Sequence, residues 1–173
     1  LIEGRFLAQN SEPLLETVGV ITLPEITSRF VARDRFVIDT SPTAAVKISY
    51  INSNFREWFL DIVEGAIGGT TLRCQKLLVP SLDKPIIAAL GGKRKAATAL
   101  SEVYAMMLQQ GGDGKTSLLR MDGSANIFYA FDINGLFCEV YVYWSSGGWC
   151  VYAYSVVSPG RWCAGARVLS HKS

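Results

Sequence analysis

From residue 125 onward, runs of aromatic and β-branched residues alternate with turn-forming pairs, and this pattern constrains the fold more than any other feature of the chain. The turn-forming pairs are Asn134-Gly135, Ser146-Gly147 and Pro159-Gly160. The runs that they separate are 125–132, 136–144, 149–157 and 161–169. Each run has the length and composition of a strand, so the sequence predicts a four-stranded antiparallel meander.

The turns also predict a register for the meander, because a two-residue Asn-Gly turn pairs the residues on either side of it. Counting from each turn places Ile127 opposite Val142, Val142 opposite Val151, and Val151 opposite Val168. Side chains alternate across a sheet, so one predicted face is almost purely apolar and forms core. The other predicted face is aromatic with polar tips, and its members include Phe128, Glu139, Tyr141, Tyr143, Tyr152, Tyr154 and Arg167.

This aromatic face is the main candidate binding surface. One predicted row crosses all four strands through Phe128, Tyr141, Tyr152 and Arg167. In that row, Arg167 forms a cation–π contact above Tyr152. Aromatic rings with an arginine are typical of surfaces that bind proteins, sugars or nucleobases. The alternative is that a helix, the N-terminal sheet or a second subunit covers the face.

The middle of the chain carries two main helix patterns. Over 54–64, Phe55 and Phe59 belong to one apolar helix face. Residues 96–110 repeat apolar side chains in the same way, and Asp83 begins a shorter helix before them. Further strands are predicted at 14–23, 30–39, 46–50 and 71–79. Strands precede and follow the helices, so we predict an α+β fold, with an antiparallel sheet that includes the meander and the two main helices packed on one face.

The chain has 173 residues, which is enough for one domain with a sizeable core. We expect a single domain over 6–173, with the glycine-rich residues 111–114 as the candidate hinge between subdomains. Residues 2–5 read Ile-Glu-Gly-Arg, which is a protease site used in cloning. We therefore expect residues 1–5 to be a cloning remnant.

Charge and cysteine usage argue against several classes of protein. The net charge is +2, so no strong attraction to nucleic acid or to a membrane is expected. No apolar run approaches the ~20 residues of a membrane span. The chain has four cysteines, without a C-x-x-C pair, and one histidine, so we expect no metal site and no cofactor. The predicted register allows no disulfide within the meander, which favours a reducing cytoplasm; secretion stays open, because the native N-terminus is expected to be missing.

Three further groups are candidates for chemistry. Glu139 on the aromatic face is a candidate general acid or base, but no second carboxylate faces it in the predicted register. Lys93, Arg94 and Lys95 precede a helix and form a candidate anion-binding site, with a solvated basic loop as the alternative. His171 is the only histidine, and we expect it in a frayed C-terminal tail.

These residues lead to three function hypotheses. The first is a non-enzymatic binding or structural module that uses the tyrosine-rich face for a protein partner or for self-association. The second is a carbohydrate- or nucleic-acid-binding domain that uses the same face. The third is a small hydrolase with Glu139 as acid or base, ranked last because no nucleophile–base pair is visible. The meander resembles those of short bacterial proteins, and this resemblance implies no activity.

Overall fold

A seven-stranded sheet forms the centre of the protein in the computed structural model, which describes residues 12–109, 118–157 and 160–172. The strands are β1 (Leu15–Leu23), β2 (Phe30–Val31), β3 (Ile48–Ile51), β4 (Val63–Glu64), β5 (Thr70–Leu77), β6 (Asn126–Phe131), β7 (Phe137–Ser145), β8 (Gly148–Ser155) and β9 (Arg167–His171). The helices are α1 (Ala32–Arg35), α2 (Ser53–Phe59), α3 (Asp83–Ala89), α4 (Lys93–Ala96) and α5 (Leu100–Gln109). The candidate hinge at 111–114 lies outside the described residues.

The sheet is mixed, so the prediction of an antiparallel sheet is wrong. Its strand order is β1-β5-β9-β6-β7-β8-β3. Most neighbours are antiparallel, but β9 runs parallel to β6, and β3 runs parallel to β8. A separate two-stranded ribbon joins β2 and β4. The α+β class still describes the chain broadly, because most of the helical residues lie between the first strands and the last ones.

Only three strands of the predicted meander are consecutive neighbours, namely β6, β7 and β8. The fourth, β9, begins at Arg167 and lies between β6 and β5. A strand has two edges, and those of β8 are occupied by β7 and β3. Because β9 has no free edge of β8 to join, the predicted pairing of Val151 with Val168 is wrong.

The β6–β7 hairpin has a three-residue loop instead of the predicted two-residue loop. Asp132 N donates to Leu136 O at 2.8 Å, which closes the loop. The Asp132 carboxylate also accepts hydrogen bonds from Asn134 N and Leu136 N, each at 2.8 Å. Gly135 has a φ of +78°, the left-handed conformation that this loop length requires. The Asp132 side chain thus stabilises the longer loop.

This loop shifts the pairing of β6 by one residue. Ile127 lies opposite Tyr141, instead of Val142. A shift of one residue moves every side chain of the strand to the other face of the sheet, so the predicted faces of β6 are wrong. The β7–β8 register is confirmed, with Val142 opposite Val151.

Helices pack on both faces of the sheet, and α2 and α5, which correspond to the two main predicted helices, share one face as predicted. On one side, α1, α2 and α5 bury a first core whose sheet residues include Phe128, Val140, Val151 and Leu169. On the other side, α3 and α4 bury a second core whose sheet residues include Ile127, Tyr129, Phe137 and Val168. The predicted core face is therefore divided between two cores.

Several predicted elements are shorter in the structure, and two of them change the path of the chain. The strand expected over 30–39 ends at Val31, where the chain turns into α1. The helix expected over 96–110 begins at Leu100, because Ala97 has extended backbone and separates α5 from the short turn of α4. Because of this break between α4 and α5, the basic helix α4 packs on the side of the second core.

The four cysteines are free thiols, buried at Cys74, Cys138 and Cys150 and exposed at Cys163. Burial raises the pKa of Cys74 and that of Cys138 to about 11. Both thiols therefore stay protonated near neutral pH, which makes them poor nucleophiles.

Candidate functional site

Five tyrosines from three neighbouring strands meet on one surface of the sheet. We call this surface the tyrosine platform, and it consists of Tyr50 on β3, Tyr141 and Tyr143 on β7, and Tyr152 and Tyr154 on β8. Four of the five were expected on the aromatic face from the alternation of β7 and β8. The fifth, Tyr50, comes from a parallel strand that is distant in sequence, and no local pattern predicts that pairing.

The rings of the platform stack on one another. The centroids of Tyr141 and Tyr152 lie 5.0 Å apart, with 6° between the ring planes. Tyr143 stacks on Tyr152 at 5.6 Å and 19°, and Tyr154 stacks on Tyr141 at 6.2 Å and 18°. Tyr50 adds a tilted ring 5.4 Å from Tyr152. Four of the five rings therefore lie nearly parallel and stack on their neighbours.

The platform is only partly buried. Tyr50 is 46% exposed and Tyr154 is 36% exposed, while Tyr141, Tyr143 and Tyr152 are half-buried. Helices α3 and α4 cover the neighbouring part of the same face, over the second core. One part of this sheet face is therefore covered by helices, and the next part, the tyrosine platform, is open to solvent.

Phe128 and Arg167 lie away from the tyrosines, so the predicted row is wrong. Phe128 is fully buried in the first core, because of the one-residue shift of β6. Arg167 lies on β9, and β6 and β7 separate that strand from Tyr152 on β8. A cation–π contact between Arg167 and Tyr152 is therefore not formed.

A buried pair of carboxyl groups lies at one end of the platform. Glu139 is 6% exposed, and the 1% exposed Asp83, the first residue of α3, lies near enough to interact with its carboxyl group. Burial, together with the charge of Asp83, raises the pKa of Glu139 to about 9. Glu139 therefore keeps its proton near neutral pH, which makes its carboxyl group a hydrogen-bond donor. The expectation that no second carboxylate faces Glu139 is wrong, because α3 packs on this face.

Two neutral donors hold Asp83 in place. Tyr129 Oη donates to Asp83 Oδ1 at 2.6 Å, and Trp162 Nε1 donates to the same oxygen at 2.7 Å. The other oxygen, Asp83 Oδ2, is buried and receives no N–H or hydroxyl hydrogen bond from the described residues. The protonated carboxyl group of Glu139 is a nearby donor that suits Asp83 Oδ2.

A cavity of about 240 Å³ opens beside the carboxyl pair. Its lining residues are Glu139, Tyr141, Tyr154, Gly160, Arg161 and Trp162. The ring of Trp162 stands at 82° to that of Tyr141, with centroids 4.9 Å apart. The rings of Tyr141 and Trp162 form a corner beside Glu139. The cavity therefore lies between the two carboxyl groups and the tyrosine platform.

The contact between Glu139 and Asp83 does not suit glycoside hydrolysis. Glycosidases hold their two carboxyl groups about 5–9.5 Å apart, so that a sugar carbon or a water molecule fits between them. Here Asp83 is 1% exposed, and its Oδ1 atom already accepts from two donors, so it is not placed to act on a substrate. The hydrolase hypothesis gains no support from this geometry.

The candidate anion-binding residues Lys93, Arg94 and Lys95 form most of α4, and all three are exposed. Lys93 Nζ lies 5.8 Å from the centroid of the Phe137 ring, which gives one of the three charges a cation–π partner. A helix of four residues contributes little dipole for an anion. The structure adds nothing that favours an anion site here.

His171 has a defined partner at the end of β9, so the expectation of a frayed tail is wrong. Its Nε2 atom lies 2.8 and 2.7 Å from the two carboxylate oxygens of Glu102. Glu102 is buried and also accepts hydrogen bonds from Thr70 Oγ1 and Ala99 N. The hydrogen bond to Glu102 raises the pKa of His171. Burial alone would raise the pKa of Glu102, but its hydrogen bonds, led by that with His171, lower it. The pair joins β9 to α5.

Comparisons with protein family models, with curated proteins and with solved structures found no match to this chain. Within residues 12–109, 118–157 and 160–172, no group of three or more His, Cys, Asp or Glu side chains could hold a metal ion. In the same residues, no helix is long and apolar enough to cross a membrane. The tyrosine platform and the adjoining cavity are therefore the candidate functional features of this protein.

Proposed function

We propose that this protein is a non-enzymatic binding module that self-associates through the tyrosine platform. The observation that supports this function is the stacking of four tyrosine rings beside the tilted ring of Tyr50, which gives a half-exposed surface of aromatic rings with hydroxyl groups. Tyrosine is enriched at protein interfaces, because its ring is apolar and its hydroxyl forms hydrogen bonds. A second copy of the chain is the partner that suits this surface best.

The chemistry of the surface favours self-association. A tyrosine hydroxyl both donates and accepts hydrogen bonds, so a copy related by a two-fold axis can pair its hydroxyls with their equivalents. Tyr143 and Tyr152 already pair in this way within one chain, where their hydroxyl oxygens lie 3.3 Å apart. Tyrosine is uncharged near neutral pH, so two copies of the platform would not repel each other.

The same stacking argues against a carbohydrate- or nucleic-acid-binding domain. A sugar ring or a nucleobase binds an aromatic side chain by lying on its open face. The facing rings of Tyr141 and Tyr152 lie 5.0 Å apart, and both also stack on Tyr143 and Tyr154. The net charge of +2 also offers little attraction to phosphates.

Sedimentation velocity from about 1 μM to about 500 μM tests the proposal, since the wild-type protein should shift from monomer to dimer over such a range. Tyr50→Arg changes the most exposed ring of the platform. A two-fold axis would bring the new charge close to its equivalent, so we expect the dimer Kd to rise at least about tenfold, which is ~1.4 kcal/mol. Circular dichroism checks that the variant folds.

Val18→Arg is the matched control, because Val18 is 40% exposed on β1, at the opposite edge of the sheet from β3. This variant should dimerise like the wild-type protein. A wild-type protein that stays monomeric throughout contradicts the proposal. The same conclusion follows if Tyr50→Arg and Val18→Arg change the dimer Kd equally.

A further inference from the structure

The cavity beside Glu139 adjoins two buried carboxyl groups, those of Glu139 and Asp83. Among the described residues, no Lys, Arg or His forms an ion pair with either of them. Arg161 also lines the cavity, but its side chain is exposed and makes no ion pair there. Burying an unpaired charge is costly, so a ligand with one positive charge would stabilise this site.

The walls of the cavity are suited to a cation. Tyr141, Tyr154 and Trp162 all line it, and the rings of Tyr141 and Trp162 meet almost at a right angle. Trp162 stands outside the stack of tyrosines, and a cation within about 6 Å of its ring is attracted by the negative face of the aromatic system. Three aromatic side chains around one acidic group therefore provide both attraction and shielding from water.

The acidic pair can present its charge to the cavity by moving one proton. Glu139 lines the cavity, whereas Asp83 is buried behind it. If the proton of Glu139 moves to Asp83 Oδ2, Glu139 becomes the carboxylate, and Asp83 donates a hydrogen bond to it. No proton enters or leaves the pair in this step. Tyr129 and Trp162 continue to donate to Asp83 Oδ1, so the geometry is held throughout.

We propose that this cavity binds a small primary alkylammonium ion, with Glu139 as the carboxylate that pairs with its nitrogen. The ammonium N–H groups bond to Glu139, and the alkyl chain lies against the aromatic rings. The volume of about 240 Å³ is below the ~300–1,000 Å³ of sites for drug-sized ligands, so the ligand is a small one. Other ionisable groups also lie near Glu139 or line the cavity and therefore face the bound ion or the two carboxyl groups: Cys138, Tyr129, Tyr141, Tyr154 and Arg161.

Titration with n-butylammonium tests the proposal, with 1-butanol as a neutral compound of similar shape, in phosphate buffer at neutral pH. The probe is the indole N–H resonance of Trp162, because that group is hydrogen bonded to Asp83 at 2.7 Å. The chain has four tryptophans, and the variant Trp162→Phe identifies the resonance. We expect a saturating shift with butylammonium, at an affinity at least about tenfold higher than with butanol. A Trp162 shift that is absent, or equal for both compounds, overturns the proposal.

Two isosteric variants should behave in opposite ways. Glu139→Gln removes the carboxylate from the cavity, so the preference for butylammonium over butanol should be lost. Asp83→Asn removes one cause of the raised pKa of Glu139 and keeps an N–H donor to it, so Glu139 ionises more readily and butylammonium should bind at least as tightly as to the wild-type protein. Binding that survives Glu139→Gln, or is lost in a folded Asp83→Asn variant, contradicts the assigned role of Glu139.

Discussion

Replacing Glu139 by glutamine should make the protein more stable at neutral pH. Burial and the charge of Asp83 raise the pKa of Glu139 to about 9 in the folded protein, whereas an unfolded glutamate titrates near ~4.3. Between these values, the folded protein holds one more proton at Glu139 than the unfolded chain does. The free energy of unfolding therefore falls as pH rises through this range. Glutamine cannot ionise and keeps an N–H donor for Asp83, so it avoids this loss.

The size of the effect follows from the width of that range. Each pH unit between the two pKa values lowers the free energy of unfolding by ~1.4 kcal/mol. The loss that has accumulated from pH ~4.3 to pH ~7 is therefore about 3 kcal/mol. The difference in stability between Glu139→Gln and the wild-type protein should grow by this amount over the same interval.

Urea unfolding of both proteins at several pH values between ~4.5 and ~8 measures this difference. His171 and Glu102 also titrate, but they do so in both proteins and cancel in the difference. Glu57→Gln is the control, because Glu57 is exposed on α2 and its replacement should give a difference that does not grow with pH. The reasoning is refuted if the difference for Glu139→Gln is constant, or falls, as pH rises.

Two further predictions concern the other buried polar contacts. The hydrogen bond to Glu102 raises the pKa of His171 above its unfolded value of ~6.5, so this stabilisation is fully present below pH ~6.5 and is lost as pH rises through the folded pKa. An NMR titration should show the raised pKa of His171 in the wild-type protein and a lower one in Glu102→Gln; equal values in the two proteins would count against the pair. Asn52 caps α2 through Phe55 N at 2.9 Å, accepts from Ala153 N at 3.1 Å, and donates to Ala153 O at 3.2 Å. Asn52→Ala should therefore cost about 2–4 kcal/mol in urea unfolding, against about 1 kcal/mol for Asn54→Ala, which loses one bond to the same carbonyl; similar costs would contradict this account.

The two hairpins show what local sequence can and cannot predict. Ser146 and Gly147 both have positive φ, at 54° and 84°, so the two-residue loop and the β7–β8 register follow from the turn alone. Asn134-Gly135 has the same signal, yet the loop there is one residue longer. The cause is the Asp132 carboxylate, which binds two backbone N–H groups of the loop. The Asp132 side chain, which lies outside the Asn134-Gly135 pair, therefore determines which face of the sheet each β6 side chain occupies.

The tyrosines of β7 and β8 could be predicted because their grouping depends only on one hairpin and on alternation. The carboxyl pair could not, because Asp83 and Trp162 reach Glu139 only when α3 packs on the second face and the chain after β8 crosses back toward β6. That crossing is required because β3 occupies the outer edge of β8, and parallel pairing between distant segments leaves no local signal in sequence. The four tyrosines of β7 and β8 in the proposed self-association surface thus come from a local pattern, whereas Tyr50 does not. The proposed cation site comes from long-range topology, so substitutions in α3 or near Trp162 should alter the cavity and leave the stacked tyrosines in place.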